Sequence, residues 1–96
     1  MSSFFICYIK DSAKNISELL GKSKYYGDDK TIRNWYGTLN GIDFHVYDYK
    51  AYYNIEENEI YPYHIGTKSR KDSIEVVKML KNAGLNAYAE SMYLIN

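Results

Sequence analysis

The chain has 96 residues, 12 basic and 12 acidic, so its formal net charge is zero. That length excludes a two-domain protein, and the absent basic surplus argues against direct nucleic-acid binding, which rests on phosphate neutralisation. A hydrophobic share of 46% with a mean hydropathy of −0.49 suits a globular core and excludes a low-complexity chain.

One cysteine, Cys7, excludes an internal disulfide and a zinc site built mainly on thiolates. No apolar run reaches the roughly 20 residues that span a bilayer. The start, Met1 to Ile9, lacks a basic region ahead of its apolar stretch, so it reads as a strand. The expectation is a cytoplasmic protein with no membrane contact and no cofactor.

In chain order, Phe4–Ile9 is rich in β-formers and predicts a first strand, buried on both faces or nearly so. Asp11 or Ser12 caps a short helix in which Ala13, Ile16, Leu19 and Leu20 recur at helical spacing, and Gly21 stops it. Residues 21–30 form a polar loop. Asn40-Gly41 suits the two positive φ angles of a type I′ turn, so 32–39 and 42–53 form a hairpin. Within it Ile42, Phe44 and Val46 alternate with Asp43, His45 and Tyr47, giving one buried and one solvated face.

Residues 54–59 read as an acidic turn. Residues 60–66 predict a strand, which Pro62 places at an edge or a bulge because it lacks a ladder donor. Residues 69–83 predict the second helix, capped by Ser69 or Asp72, with Ile74, Val76, Val77, Leu80 and Ala83 on its apolar side and Gly84 at its end. Residues 85–95 close with a strand. The order β-α-β-β-β-α-β predicts a single α+β domain over 1–96: a mostly antiparallel sheet of about five strands, two helices on one face, and an open face decorated by tyrosines.

Tyrosine is the compositional outlier, at 12 residues against three Phe and one Trp. A small core cannot satisfy so many phenol hydroxyls, so several belong at a surface or a contact. Residues 41–62 carry Lys50 against Asp43, Asp48, Glu56, Glu57 and Glu59, interleaved with tyrosines. Carboxylates meet Arg and Lys, and phenols supply anchors. The block therefore reads as glue for a host protein with a basic surface, with Asp43, Asp48, Tyr49, Tyr52, Tyr53, Glu56, Glu57 and Glu59 as contacts. The same residues would also suit a solvated hairpin and turn. Lys68, Arg70 and Lys71 at the second helix start offer an anion site, or a solvated cap. A strand edge and a Tyr-lined face allow a homodimer about a two-fold axis.

Catalytic constellations are sparse. Cys7 with His45 and His64 is the thiol–imidazole candidate, and Asp43, His45 and His64 the metal candidate; neither carries the reading. Small size and the acidic aromatic block favour a non-enzymatic inhibitor of phage or mobile-element type, such as an anti-CRISPR protein, that covers a basic cleft.

Two resemblances offer alternatives. Tyr63-His64-Ile65-Gly66, Arg70-Lys71-Asp72 and Met79-Leu80-Lys81-Asn82-Ala83-Gly84-Leu85-Asn86-Ala87-Tyr88 resemble the second half of a SPOR domain, over residues 61–90. The resemblance implies a module that binds peptidoglycan glycan strands on an open sheet face. The chain departs from that pattern at Lys68, where the family has an aromatic, and in its first strand. Tyr63-His64-Ile65-Gly66 with Arg70 also resembles the second half of the GIY-YIG nuclease signature, whose first tripeptide is missing. That resemblance implies a small nuclease or phosphodiesterase using Tyr63, His64 and Arg70.

Overall fold

The computed structural model describes residues 2–25, 32–49 and 54–94, and among these the side chains of 7–25, 32–49 and 54–90. The elements are β1 (Ser2–Ser12), α1 (Ala13–Leu20), β2 (Asn34–Leu39), β3 (Ile42–Tyr47), β4 (Ile60–Gly66), α2 (Arg70–Asn82) and β5 (Ala87–Leu94). They form an α+β fold in which one five-stranded antiparallel sheet has the order β2-β3-β4-β1-β5. Strand β4 lies between β1 and β3, and β1 lies between β4 and β5. Helix α2 therefore links β4 and β5, two parallel strands that flank β1, in a split β-α-β arrangement, whereas α1 carries the chain from β1 past β4 and β3 to β2. Strand β2 is an additional edge, joined to β3 by a hairpin.

Local chemistry sets the boundaries. Ser12 holds the N-cap of α1, where its Oγ accepts from the Asn15 amide at 3.1 Å. The buried Asp11 carboxylate accepts from Ser12 N and Asn15 Nδ2, both at 2.8 Å, and from Asn86 N at 3.3 Å. One carboxylate thus ties the end of β1, the start of α1 and the entry to β5. Asn40 at φ 51° and Gly41 at φ 76° make the primed hairpin turn. Gly37 serves a close approach: a Cβ there would stand 2.6 Å from Phe44 Cζ on the facing strand.

Both helices pack on the same sheet face. Ala13 and Ile16 of α1 and Val76, Val77 and Leu80 of α2 join Cys7, Ile9, Trp35, Phe44, Val46, Tyr63, Ile65 and Ala87 in one core. The Trp35 and Tyr63 rings meet edge to face at 5.0 Å, and the indole N–H donates to Ser17 Oγ at 3.1 Å. Among the described residues the buried Tyr63 hydroxyl has no hydrogen-bond partner, and burial pushes its ionisation far above the usual phenol range.

Two expectations need correction. Strand β3 spans Ile42–Tyr47, and Asp48 just beyond it points inward in phase with Phe44 and Val46; residues 50–53 of the expected 42–53 strand lie outside the described residues. The fully buried Asp48 carboxylate accepts from the Ile32 amide at 2.8 Å and the Arg33 amide at 2.6 Å, anchoring the segment that leads into β2. Strand β4 is central, not an edge, despite Pro62. Its ladder to β3 covers only His64 to Gly66, and Pro62 pairs with Lys10 on β1. The donor that proline lacks falls where the β3 ladder has already ended.

Among the described residues, no helix is long and apolar enough to cross a membrane.

Candidate functional site

The sheet face opposite the helices is built by strand parity and register. Tyr8, Tyr36, His45, Tyr47, His64 and Tyr88 alternate with core residues and so point away from the helices. Register then brings Asn34, Tyr47, His64, Tyr8 and Tyr88 into one row, one residue from each strand. A second row pairs Tyr36 with His45 and His45 with Gly66.

The rings touch from one side of the sheet to the other. Tyr36 stacks on His45 at 4.4 Å with planes 4° apart, and His45 stacks on Tyr47 at 4.6 Å. Tyr47 meets His64 at 5.5 Å, and Tyr49, just beyond β3, stacks on His64 at 5.4 Å. Tyr8 meets the His64 ring edge-on at 5.0 Å and stacks on Tyr88 at 5.2 Å. Tyr36 and Tyr49 are the most exposed members at 53% and 50%, while the other five are half-buried.

Burial lowers the pKa of both His45 and His64 from the ordinary histidine value, favouring neutral rings. Burial likewise raises the Tyr8 and Tyr47 phenols, with smaller contributions from Glu90 and Tyr88 on Tyr8 and from Tyr49 on Tyr47. Asn34 fixes one tautomer: its amide nitrogen donates to Lys24 O at 3.1 Å, so its oxygen accepts from His45 Nε2–H at 2.9 Å.

The acidic block does not form one patch with these rings. Asp43 is exposed on the ring face beside His45 and accepts from Thr38 Oγ1 at 2.6 Å. Asp48 is 0% exposed and is spent on backbone amides, so it is not a surface contact. Glu56, Glu57 and Glu59 lie in the turn before β4, closed by a bond from Glu59 N to Glu56 O at 3.1 Å. The Lys14 amide donates to Glu57 O at 3.0 Å, which pins that turn to the start of α1. Tyr49 joins the ring strip, and Tyr52 and Tyr53 lie outside the described residues.

Lys68 and Arg70, but not Lys71, line a cavity of about 510 Å³ at the end of β4, together with Cys7, His64, Thr67, Ser69 and Ser73. Ser69 Oγ caps α2 by accepting from Asp72 N at 3.1 Å, and Thr67 and Ser73 hydroxyls bond at 2.6 Å. Burial pushes the Cys7 thiol above its usual range, which disfavours a thiolate nucleophile. The nuclease grouping does not converge: Tyr63 points into the core and its neighbour His64 onto the open face. Among the described residues, no group of three or more His, Cys, Asp or Glu side chains is placed to hold a metal ion.

Sequence reading placed the contacts in residues 43–59 and missed Tyr8, Tyr36, Tyr47, Tyr88 and both histidines as members of a single strip. Parity assigns each to a face, but only the non-local strand order joins them. Comparison of the chain with family models, curated proteins and solved structures finds no match.

Proposed function

We propose that this chain is a non-enzymatic binding protein that uses its open sheet face to occupy a surface of another macromolecule. The observation that carries the reading is the unbroken run of ring contacts from Tyr36 to Tyr88 across five strands, on the face that neither helix covers. Neighbouring rings cover one another's faces through much of the run, which leaves edges and hydroxyls to meet a partner. That presentation favours a broad protein contact over insertion of bases or sugars between rings.

The partner is a protein with a basic surface. Asp43 flanks the Tyr36 and His45 end, and the charge of Glu90 reaches Tyr8 at the other. Lysine and arginine side chains of a partner pair with those carboxylates and pack against the rings. Glu56, Glu57 and Glu59 add a separate electrostatic contact at the α1 side. A small cytoplasmic inhibitor of phage or mobile-element type, covering the nucleic-acid cleft of a host defence protein, fits this chemistry.

The test is capture from nuclease-treated bacterial lysate by three immobilised chains: the wild type, Tyr36→Ala/Tyr49→Ala, and Glu56→Lys/Glu57→Lys/Glu59→Lys. A basic protein held by the wild type, lost from the tyrosine variant and weakened in the lysine variant supports the reading. Equal capture by all three removes it. Co-sedimentation of the wild type with purified peptidoglycan, insensitive to salt, would favour the glycan alternative.

A further inference from the structure

We infer that two copies of this chain pair through the outer edge of β5, fusing their sheets about a two-fold axis. The inference does not depend on the proposed function, because it uses the sheet edge and not the ring face.

Hydrogen-bond alternation identifies the backbone groups of β5 that take no part in the β1 ladder. The Lys10 amide donates to Asn86 O at 2.9 Å, which fixes the phase of the β1–β5 ladder. In an antiparallel pair, bonded and non-bonded residue pairs alternate. Tyr88 and Glu90 therefore bond to Tyr8 and Ile6, whereas Ala89, Ser91 and Tyr93 aim their N–H and C=O groups off the sheet. The Ala87 amide is already taken by Leu85 O at 3.0 Å.

This edge carries few of the devices that normally discourage pairing. Ala87–Leu94 runs eight residues without proline, lysine or arginine, and Glu90 is its one charged residue. The opposite edge differs. Strand β2 has six residues, and its outer side is partly closed where Asn34 exchanges backbone bonds with Lys24 at 2.7 and 3.0 Å.

Chemistry also selects the register. Centring the axis on Glu90 would set two carboxylates directly opposite each other, which is unfavourable. Centring it on Ser91 pairs Ala89 with Tyr93 of the second copy and Ser91 with itself, and so uses every outward-facing group from Ala89 to Tyr93. A closed two-fold follows, because a strand paired antiparallel with itself leaves no further copy to add at that edge. An axis perpendicular to the sheet keeps both ring strips on one side.

The test is sedimentation equilibrium across a concentration series, with amide hydrogen exchange read residue by residue. The wild type is expected to reach twice the 11.2 kDa chain mass when concentrated and to dissociate on dilution. The amides of Ala89, Ser91 and Tyr93 should be protected only in the concentrated sample, while those of Tyr88 and Glu90 are protected in both. Ala89→Pro removes an outward donor without touching the β1 ladder, so it should stay monomeric with an unchanged circular dichroism spectrum. A wild type that remains at 11.2 kDa throughout, or a dimer that survives Ala89→Pro, overturns the inference. Should that variant fail to fold, the exchange pattern decides alone: unprotected Ala89, Ser91 and Tyr93 amides in the concentrated sample also overturn it.

Discussion

Replacing Asp48 distinguishes an internal anchor from a surface contact. Its carboxylate is fully buried and accepts from two backbone amides, Ile32 at 2.8 Å and Arg33 at 2.6 Å. Asp48→Ala leaves both donors without that acceptor, and an orphaned buried group costs about 1–3 kcal/mol. Partial hydration of these half-buried amides reduces the total, so the expected loss is about 2–4 kcal/mol. For a domain of this size each kcal/mol moves the melting temperature by about 4–8 °C, which makes the shift on the order of 8–32 °C. Asp48→Asn keeps one acceptor oxygen but loses the charge, and should fall about halfway between the wild type and alanine. Urea titration and thermal melting followed by circular dichroism read both variants. An Asp48→Ala protein with an unchanged midpoint would refute the anchoring role and return this carboxylate to the surface.

Gly37→Ala should destabilise by about 1–3 kcal/mol, because the new methyl would force the Phe44 ring to move; the urea midpoint measures it, and an unchanged midpoint would show that the ring yields freely. Stability should fall on acidification from pH 7 to 5. The folded chain holds His45 and His64 at lowered pKa values, so the unfolded chain binds more protons as the pH drops through about 6.5. Their contribution is complete above that value, and the loss ends once the pH has passed below both folded values. Urea midpoints measured across the range should show a shallower slope in His45→Gln and in His64→Gln, and an unchanged slope in both would discount the histidines.

Local chemistry made much of the fold legible. Ser12 and Gly21 bracket α1, Asn40-Gly41 makes its turn, and Ser69 caps α2, because caps and primed turns depend on a few adjacent residues. The alternation of Ile42, Phe44 and Val46 likewise predicts the buried side of β3. Asp48 stands in phase with those three, and that phase was the available signal that its carboxylate turns inward. Its acidic neighbours outweighed the signal. Pro62 misleads for a different reason: its backbone constraint is local, but whether its missing donor matters depends on where the β3 ladder ends.

The ring strip shows why the site was less legible than the elements that build it. Tyr8 and Tyr88 are far apart in sequence, as are Tyr36 and His64, and each alone is an unremarkable strand residue. Their union in one strip depends on the order β2-β3-β4-β1-β5, in which β1 takes both of its neighbours, β4 and β5, from distant parts of the chain. That order also divides the acidic block. Asp43 stays with the rings, Asp48 enters the interior, and the Glu56–Glu59 turn bonds to the start of α1. Charge that looks continuous along the sequence is therefore distributed over three environments. Under the proposed function, a partner gripping the rings would meet Asp43 on the same face, whereas the glutamates belong to the turn bonded to the start of α1.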